Sequence, residues 1–280
     1  MSHYIQPGSI VVAVDGSKHA ERALHWAAEQ ARLENRPLVA VTADEGQSHD
    51  VKDEVTRLIR EARPDVEART ITAVGDPRPV LVDLSRQAHL LVMGSRGRGT
   101  LRSMLLGSVS TAVTKLASCP VVVCRPRRGE DGGQGVLVGA DGTRESLPVL
   151  EFAFEQASIH GMPLTVVHCI WDVVAAVAGL RTVPVEDLDP TDVDELQVLL
   201  AESVAGFAEK YPDVRVTRRV AHGLVDEVLV GRGDKWDLVV VGRHPVNSLS
   251  RLVTGSISTA VVERAHTTVA VVPEPPGDES

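Results

Sequence analysis

The sequence predicts an α/β protein of two tandem, open, five-stranded parallel sheets with helices on both faces, and three observations lead there. Short Val- and Leu-rich runs alternate with helix-period stretches along the chain, and runs apolar throughout suit parallel strands covered on both faces. Strictly alternating strands and helices imply right-handed crossovers within one sheet. The alternation is also written twice: Asp15-Gly16-Ser17 returns as Asp141-Gly142-Thr143, 126 residues later.

Ile10–Val14 opens the first copy as a strand running into Asp15-Gly16-Ser17, which supplies an acidic residue, a turn glycine and a helix N-cap hydroxyl. A helix-period stretch follows over Ala20–Arg32, then the strand Pro37–Thr42. The next helices run over Asp50–Ala62 and Asp76–Gln87. Pro77 starts the second of them, where its missing N–H would be unpaired anyway. His89–Met93 reads as a buried strand, Ser108–Leu116 as an amphipathic helix and Val121–Cys124 as the closing strand. The second copy repeats this with strand Gly135–Ala140, helix Leu147–Ile159, strand Pro163–His168, strand Leu238–Gly242 and closing strand Val269–Val272. The offset grows from 126 to 148, so 22 residues enter between Cys169 and Asp213. Trp171–Asp194, mixed apolar and acidic with two prolines, is where they fit. Residues 1–126 make the first domain, 127–134 a linker and 135–280 the second domain. The two closing strands are expected to pair across a pseudo-twofold, because apolar edges need cover.

The 280 residues suffice for two ordinary domains, and 43% hydrophobic with 24% charged residues describes a soluble globular protein. Aromatics are only 3%, so the cores are expected to be Val, Leu, Ala and Ile. A formal charge of −9 argues against nucleic acid as a generic partner. The N-terminus shows no basic segment ahead of an apolar run, and no apolar run reaches the length of a membrane span. Cys119, Cys124 and Cys169 have no CxxC spacing and read as buried reduced thiols. A cytoplasmic location is the expectation.

Chemistry concentrates between the fourth strand and the helix that follows. Gly94-x2-Gly97-x9-Gly107-Ser108 joins them, with Val109 and Ser110 in the first helical turn. Glycine lets backbone N–H groups approach an anion, and the helix N-terminus adds partial positive charge. Glycine clusters also make ordinary tight turns. Two facts weigh toward phosphate: the hydroxyls of Ser108 and Ser110, and the return of the pattern as Gly242, Gly255, Ser256 and Ser258. Arg96, Arg98 and Arg102 add local positive charge, either as a solvated face or as phosphate contacts.

Three segments, Val-Asp15-Gly16-Ser17, Val-Gly75-Asp76-Pro77 and the Gly94–Ser108 loop, resemble the universal stress protein family in its tandem form, over nearly the whole chain. The resemblance implies a Rossmann-like or flavodoxin-like nucleotide-binding fold and ATP as ligand. It implies that Gly94, Gly97, Gly107, Ser108, Val109 and Ser110, with Arg98, surround ribose and phosphates. Asp15 is implied near the adenosine, and Val41 meets adenine through its backbone. Mg²⁺ would ride on the phosphates, with Asp15 either helping or serving only as a turn-former. A homodimer and an unidentified protein partner are further implications. In the second copy Pro245 stands where the first has Gly97. Proline has no N–H to offer phosphate. A second site at Asp141, Gly242, Gly255, Ser256 and Ser258 is therefore expected to be weaker, differently selective or empty.

No nucleophile elbow, Walker-type phosphate loop or tight histidine spacing appears. The leading reading is an ATP-binding stress-response or regulatory protein without a dedicated catalytic set. Slow ATP hydrolysis from the first site is one alternative, since phosphoryl transfer needs mainly positioning and charge. An interaction module using the 171–194 insertion, with nucleotide incidental, is the other.

Overall fold

The computed structural model describes residues 5–44, 48–97, 106–126, 133–170, 190–231, 235–243 and 257–275. The chain divides into two compact units near Pro126. The first runs β1 Ile10–Val14, α1 Lys18–Glu34, β2 Leu38–Asp44, α2 Ser48–Ala62, β3 Ala68–Val74, α3 Pro77–Leu84, β4 Leu90–Gly94, α4 Ser108–Leu116 and β5 Val121–Cys124. Its strands lie in the order β3-β2-β1-β4-β5 and all pair in parallel. The middle strands are apolar without alternation because helices cover both faces: Ile10, Val11, Val12, Leu90, Leu91 and Val92 are all fully buried.

α1 shows how the sequence builds this packing. Ser17 caps its N-terminus, and Asn35 ends it in the left-handed conformation at φ 51°. Between them Ala20, Ala23, Ala27, Ala28 and Ala31 form a buried face of small side chains, so the helix can lie close to the strands.

The second unit runs β6 Val136–Gly139, α5 Leu147–Ile159, β7 Leu164–Ile170, α6 Pro190–Lys210, β8 Val216–His222, α7 Val225–Leu229, β9 Leu238–Arg243, α8 Ile257–Arg264 and β10 Thr268–Pro273. Its order, β8-β7-β6-β9-β10, is the same winding, with β6 parallel to β7 and β9, and β7 parallel to β8. Three differences follow from sequence. Pro148 fits a helix only in the first turn, so α5 starts at Leu147, three residues later than the matching start of α1. α6 has 21 residues against 15 in α2, so six of the inserted residues lengthen a helix. The core also departs from the aliphatic expectation: Phe154 is fully buried and stacks on Phe207 at 5.4 Å and Tyr211 at 5.9 Å. The rest of the insertion, from Trp171 onward, lies outside the described residues.

Candidate functional site

Strand order reverses between β1 and β4, and ligands of open parallel sheets sit at the carboxyl ends of strands flanking such a reversal. Asp15 follows β1 and Gly94 ends β4, so the two segments singled out by sequence meet there. A Cβ on Gly97 would come to 2.5 Å from Asp15 Oδ2, so glycine leaves the carboxylate room. Asp15 Oδ1 accepts the Ser17 N–H at 3.0 Å. The Ser17 hydroxyl accepts the Ala20 N–H at 3.2 Å and donates to the Arg96 carbonyl at 3.4 Å. The N-cap of α1 and the glycine turn are thereby stitched together.

Each glycine has its own reason. A Cβ on Gly94 would lie 2.7 Å from the His19 carbonyl carbon and 2.8 Å from its oxygen, so α1 presses onto the end of β4. Gly94 is thus required by packing. The Gly107 N–H donates to the Ser95 carbonyl at 2.9 Å and closes the turn. Gly107 is the extended N-cap of α4, with no side chain capping that end. The first N–H groups of α4, on Ser108, Val109 and Ser110, carry the helix's partial positive charge at the mouth of the turn. Ser108 is exposed, Val109 half-buried and Ser110 buried. The Ser110 hydroxyl donates to the Gly94 carbonyl at 2.9 Å, which fixes α4 against β4. Arg98 lies outside the described residues.

Val41 is buried and sits in register with Ala13 on one side and Ile71 on the other. The Ile10 N–H donates to the Pro37 carbonyl at 2.9 Å, and alternation then turns Val39, Val41 and Ala43 toward β1. Pairing with β1 ends at Val14↔Thr42. Both backbone groups of Val41 are therefore spent in the ladder, and the first acceptor beyond the end of β1 is the Ala43 carbonyl.

Positive charge gathers around this turn. Arg22 on α1, Arg96 in the turn and the buried Arg125 after β5 all act on His19, whose Nδ1 lies 3.4 Å from Ser95 Oγ. Burial first, then these three arginines, hold the His19 imidazole below its ordinary pKa, with Asp15 opposing them. Arg96 Nε is buried and, among the described residues, has no hydrogen-bond partner. Sequence reasoning missed His19, Arg22 and Arg125. Arg125 follows the closing strand, and strand direction alone places it at this pole.

The second unit keeps the turn and changes its surroundings. Asp141 Oδ1 accepts the Thr143 N–H at 2.9 Å and hydroxyl at 2.7 Å. A Cβ on Gly142 would meet Leu199 Cδ2 at 2.6 Å, so α6 lies over this turn. A Cβ on Gly242 would overlap the Glu274 carboxylate, whose backbone N–H donates to the Arg243 carbonyl at 3.1 Å. By the repeat offsets, His19, Arg22 and Arg125 correspond to Glu145, Pro148 and Pro273. These three positions thus have neutral or acidic counterparts in the second unit, whereas Arg96 corresponds to His244. Ser258 is buried in α8, while Gly255, Ser256 and Pro245 lie outside the described residues. Among the described residues, no three His, Cys, Asp or Glu side chains are grouped to hold a metal, and no helix is long and apolar enough to cross a membrane.

A model of the universal stress protein family matches residues 8–125 and again 134–273. A universal stress protein of Mycobacterium tuberculosis (strain H37Rv) is 33% identical over 289 residues, covering 94% of this chain and 96% of that protein. A universal stress protein of Mycolicibacterium smegmatis is 30% identical over 289 residues, with the same coverage. A crystal structure of a universal stress protein from Archaeoglobus fulgidus shares the fold at a TM-score of 0.69 and 20% identity, covering 98% of each chain.

Proposed function

The chain belongs to the universal stress protein family, and from that premise we propose that its first unit binds ATP in the crevice between Asp15 and the Gly97–Gly107 turn. The observation that carries this reading is the convergence of an uncapped helix N-terminus, a glycine in contact with Asp15 and the unpartnered buried Nε of Arg96. The phosphates would lie against the N–H groups of Ser108, Val109 and Ser110 and near Arg96. Adenine carries an amino donor, and the Ala43 carbonyl beyond the end of β1 is the acceptor placed to receive it; Val41 then supports the base from within the ladder. Asp15 is committed to its turn, so Mg²⁺ would be carried by phosphate oxygens.

The second unit offers phosphate a worse environment, with Glu274 at Gly242 and Leu199 over Gly142. Residues 1–126 and 135–280 act in this reading as one binding domain and one diverged domain. The family resemblance further supports a homodimer and a cytoplasmic location, and sedimentation equilibrium reads the first as twice the chain mass. The nucleotide would act as a switch or stabiliser, because a ligand bound only by the folded state stabilises it. Calorimetric titration with ATP tests the site. Wild type is expected to bind, and an Arg96→Ala, Gly97→Val variant to lose binding while remaining folded. Equal affinity in both removes the site from this position.

A further inference from the structure

His19 packs against the residues that close the glycine turn. His19 lies in the first turn of α1, and its backbone is in contact with the end of β4 because Gly94 has no Cβ. Its Nδ1 reaches Ser95 Oγ at 3.4 Å. Ser95 is itself 1% exposed, and its carbonyl receives the Gly107 N–H that closes the turn. The imidazole therefore touches the residue that joins the two ends of the proposed anion cradle.

Among the described residues, the charged groups that act on His19 come from several elements. Arg22 lies on its own helix, Arg96 in the turn, Arg125 after β5, and Asp15 at the end of β1. The Cys124 thiol at the end of β5 is pushed up to about 12 by burial and stays neutral. Among the described residues, three cations and one carboxylate act on His19, so a bound anion would make its protonation more favourable.

We propose that His19 couples nucleotide binding to proton uptake, so that affinity for the polyphosphate rises as the pH falls. The inference rests on the nucleotide reading of the first unit. Phosphate bound in the turn offsets the arginines, which stabilises the imidazolium and raises the His19 pKa in the complex. Linkage fixes the sign: a proton bound more tightly by the complex than by the free protein strengthens binding as it is taken up. The gain is absent above the pKa of the complex, grows as the pH falls through it, and is complete below the pKa of the free protein, which lies under the ordinary 6.5. Each unit by which binding raises the pKa makes affinity about tenfold tighter across that window.

The test is calorimetric titration of the full chain with ATP at about pH 6 and about pH 8, in buffers of different ionisation enthalpy. The dependence of the binding enthalpy on the buffer counts protons taken up. His19→Gln keeps a hydrogen-bonding group toward Ser95 but cannot titrate, and it carries the proton uptake of the nucleotide itself as a baseline. Wild type is expected to take up a larger fraction of a proton near pH 6 than His19→Gln, with the two converging near pH 8. If His19→Gln is poorly folded, His19→Asn and the wild-type pH profile of affinity provide the same comparison. Equal proton uptake in wild type and variant overturns the role of His19 while leaving the nucleotide site standing. Absence of ATP binding by wild type at every pH removes the site and this proposal with it.

Discussion

Two glycines three residues apart do different work, and substitution separates them. At Gly94 a Cβ would strike the His19 backbone, which cannot rotate away. Gly94→Ala is expected to lower stability by about 1–3 kcal/mol, as overpacking does, read from denaturant unfolding. At Gly97 the Cβ would meet the Asp15 carboxylate, and the backbone is outside the left-handed region. Gly97→Ala is therefore expected to change stability little and to weaken ATP binding, because the Cβ displaces the Asp15 carboxylate in the proposed crevice. A stability loss at Gly97 equal to that at Gly94 contradicts the distinction. Away from the site, Glu29 is held down to about 2, first by its hydrogen bond from Arg32 and also by Arg63. A carboxyl with a depressed pKa contributes above its unfolded value near 4.5 and loses that contribution as the pH falls toward 2. The pair is on the surface, so Glu29→Gln is expected to cost less than about 1 kcal/mol at neutral pH and low salt. The difference from wild type should vanish in acid unfolding near pH 2. The glycine pattern was legible in sequence, but the reason for each glycine was not. The partners, His19 for Gly94 and Asp15 for Gly97, are met only across the β1–β4 crevice.

At the scale of elements, strands and helices were legible because each carries a local signal. Ile10–Val14 and Leu90–Gly94 are apolar without break, and Asp76 accepts the Arg78 N–H at 2.9 Å as the cap ahead of Pro77 that the sequence indicates. What escaped was how elements lean on one another. Leu199 of α6 lies over Gly142, a contact between residues far apart in sequence whose types are both ordinary. The aromatic core of the second unit was hidden by averaging, since a scarcity over the whole chain concealed a cluster at Phe154, Phe207 and Tyr211. The attachment of α4 to β4 is the element contact on which the site depends. Ser110→Ala removes the hydroxyl that donates to the Gly94 carbonyl and leaves a buried acceptor without that partner. A loss of about 1–3 kcal/mol is expected. ATP affinity should fall as well, because the helix N-terminus is no longer fixed, and titration of the variant against wild type reads it. Unchanged affinity with reduced stability would show that the helix end does not contact the ligand.

Over the whole molecule the two units share a winding and differ in charge at corresponding places. Where the first unit has His19, Arg22 and Arg125, the second has Glu145, Pro148 and Pro273, and Glu274 stands at Gly242. Pro245 was legible as a departure at the glycine position, whereas the carboxylate at Gly242 required the fold, because β10 brings it there. These differences underlie the proposal that only the first unit binds a polyphosphate. The most direct measurement is the number of ATP molecules bound per chain at saturation, by equilibrium dialysis of nucleotide-free protein, alongside the Arg96→Ala, Gly97→Val variant. One per chain in wild type and none in the variant is the predicted result. Two per chain, or one that survives in the variant, would contradict the assignment of binding to the first unit alone.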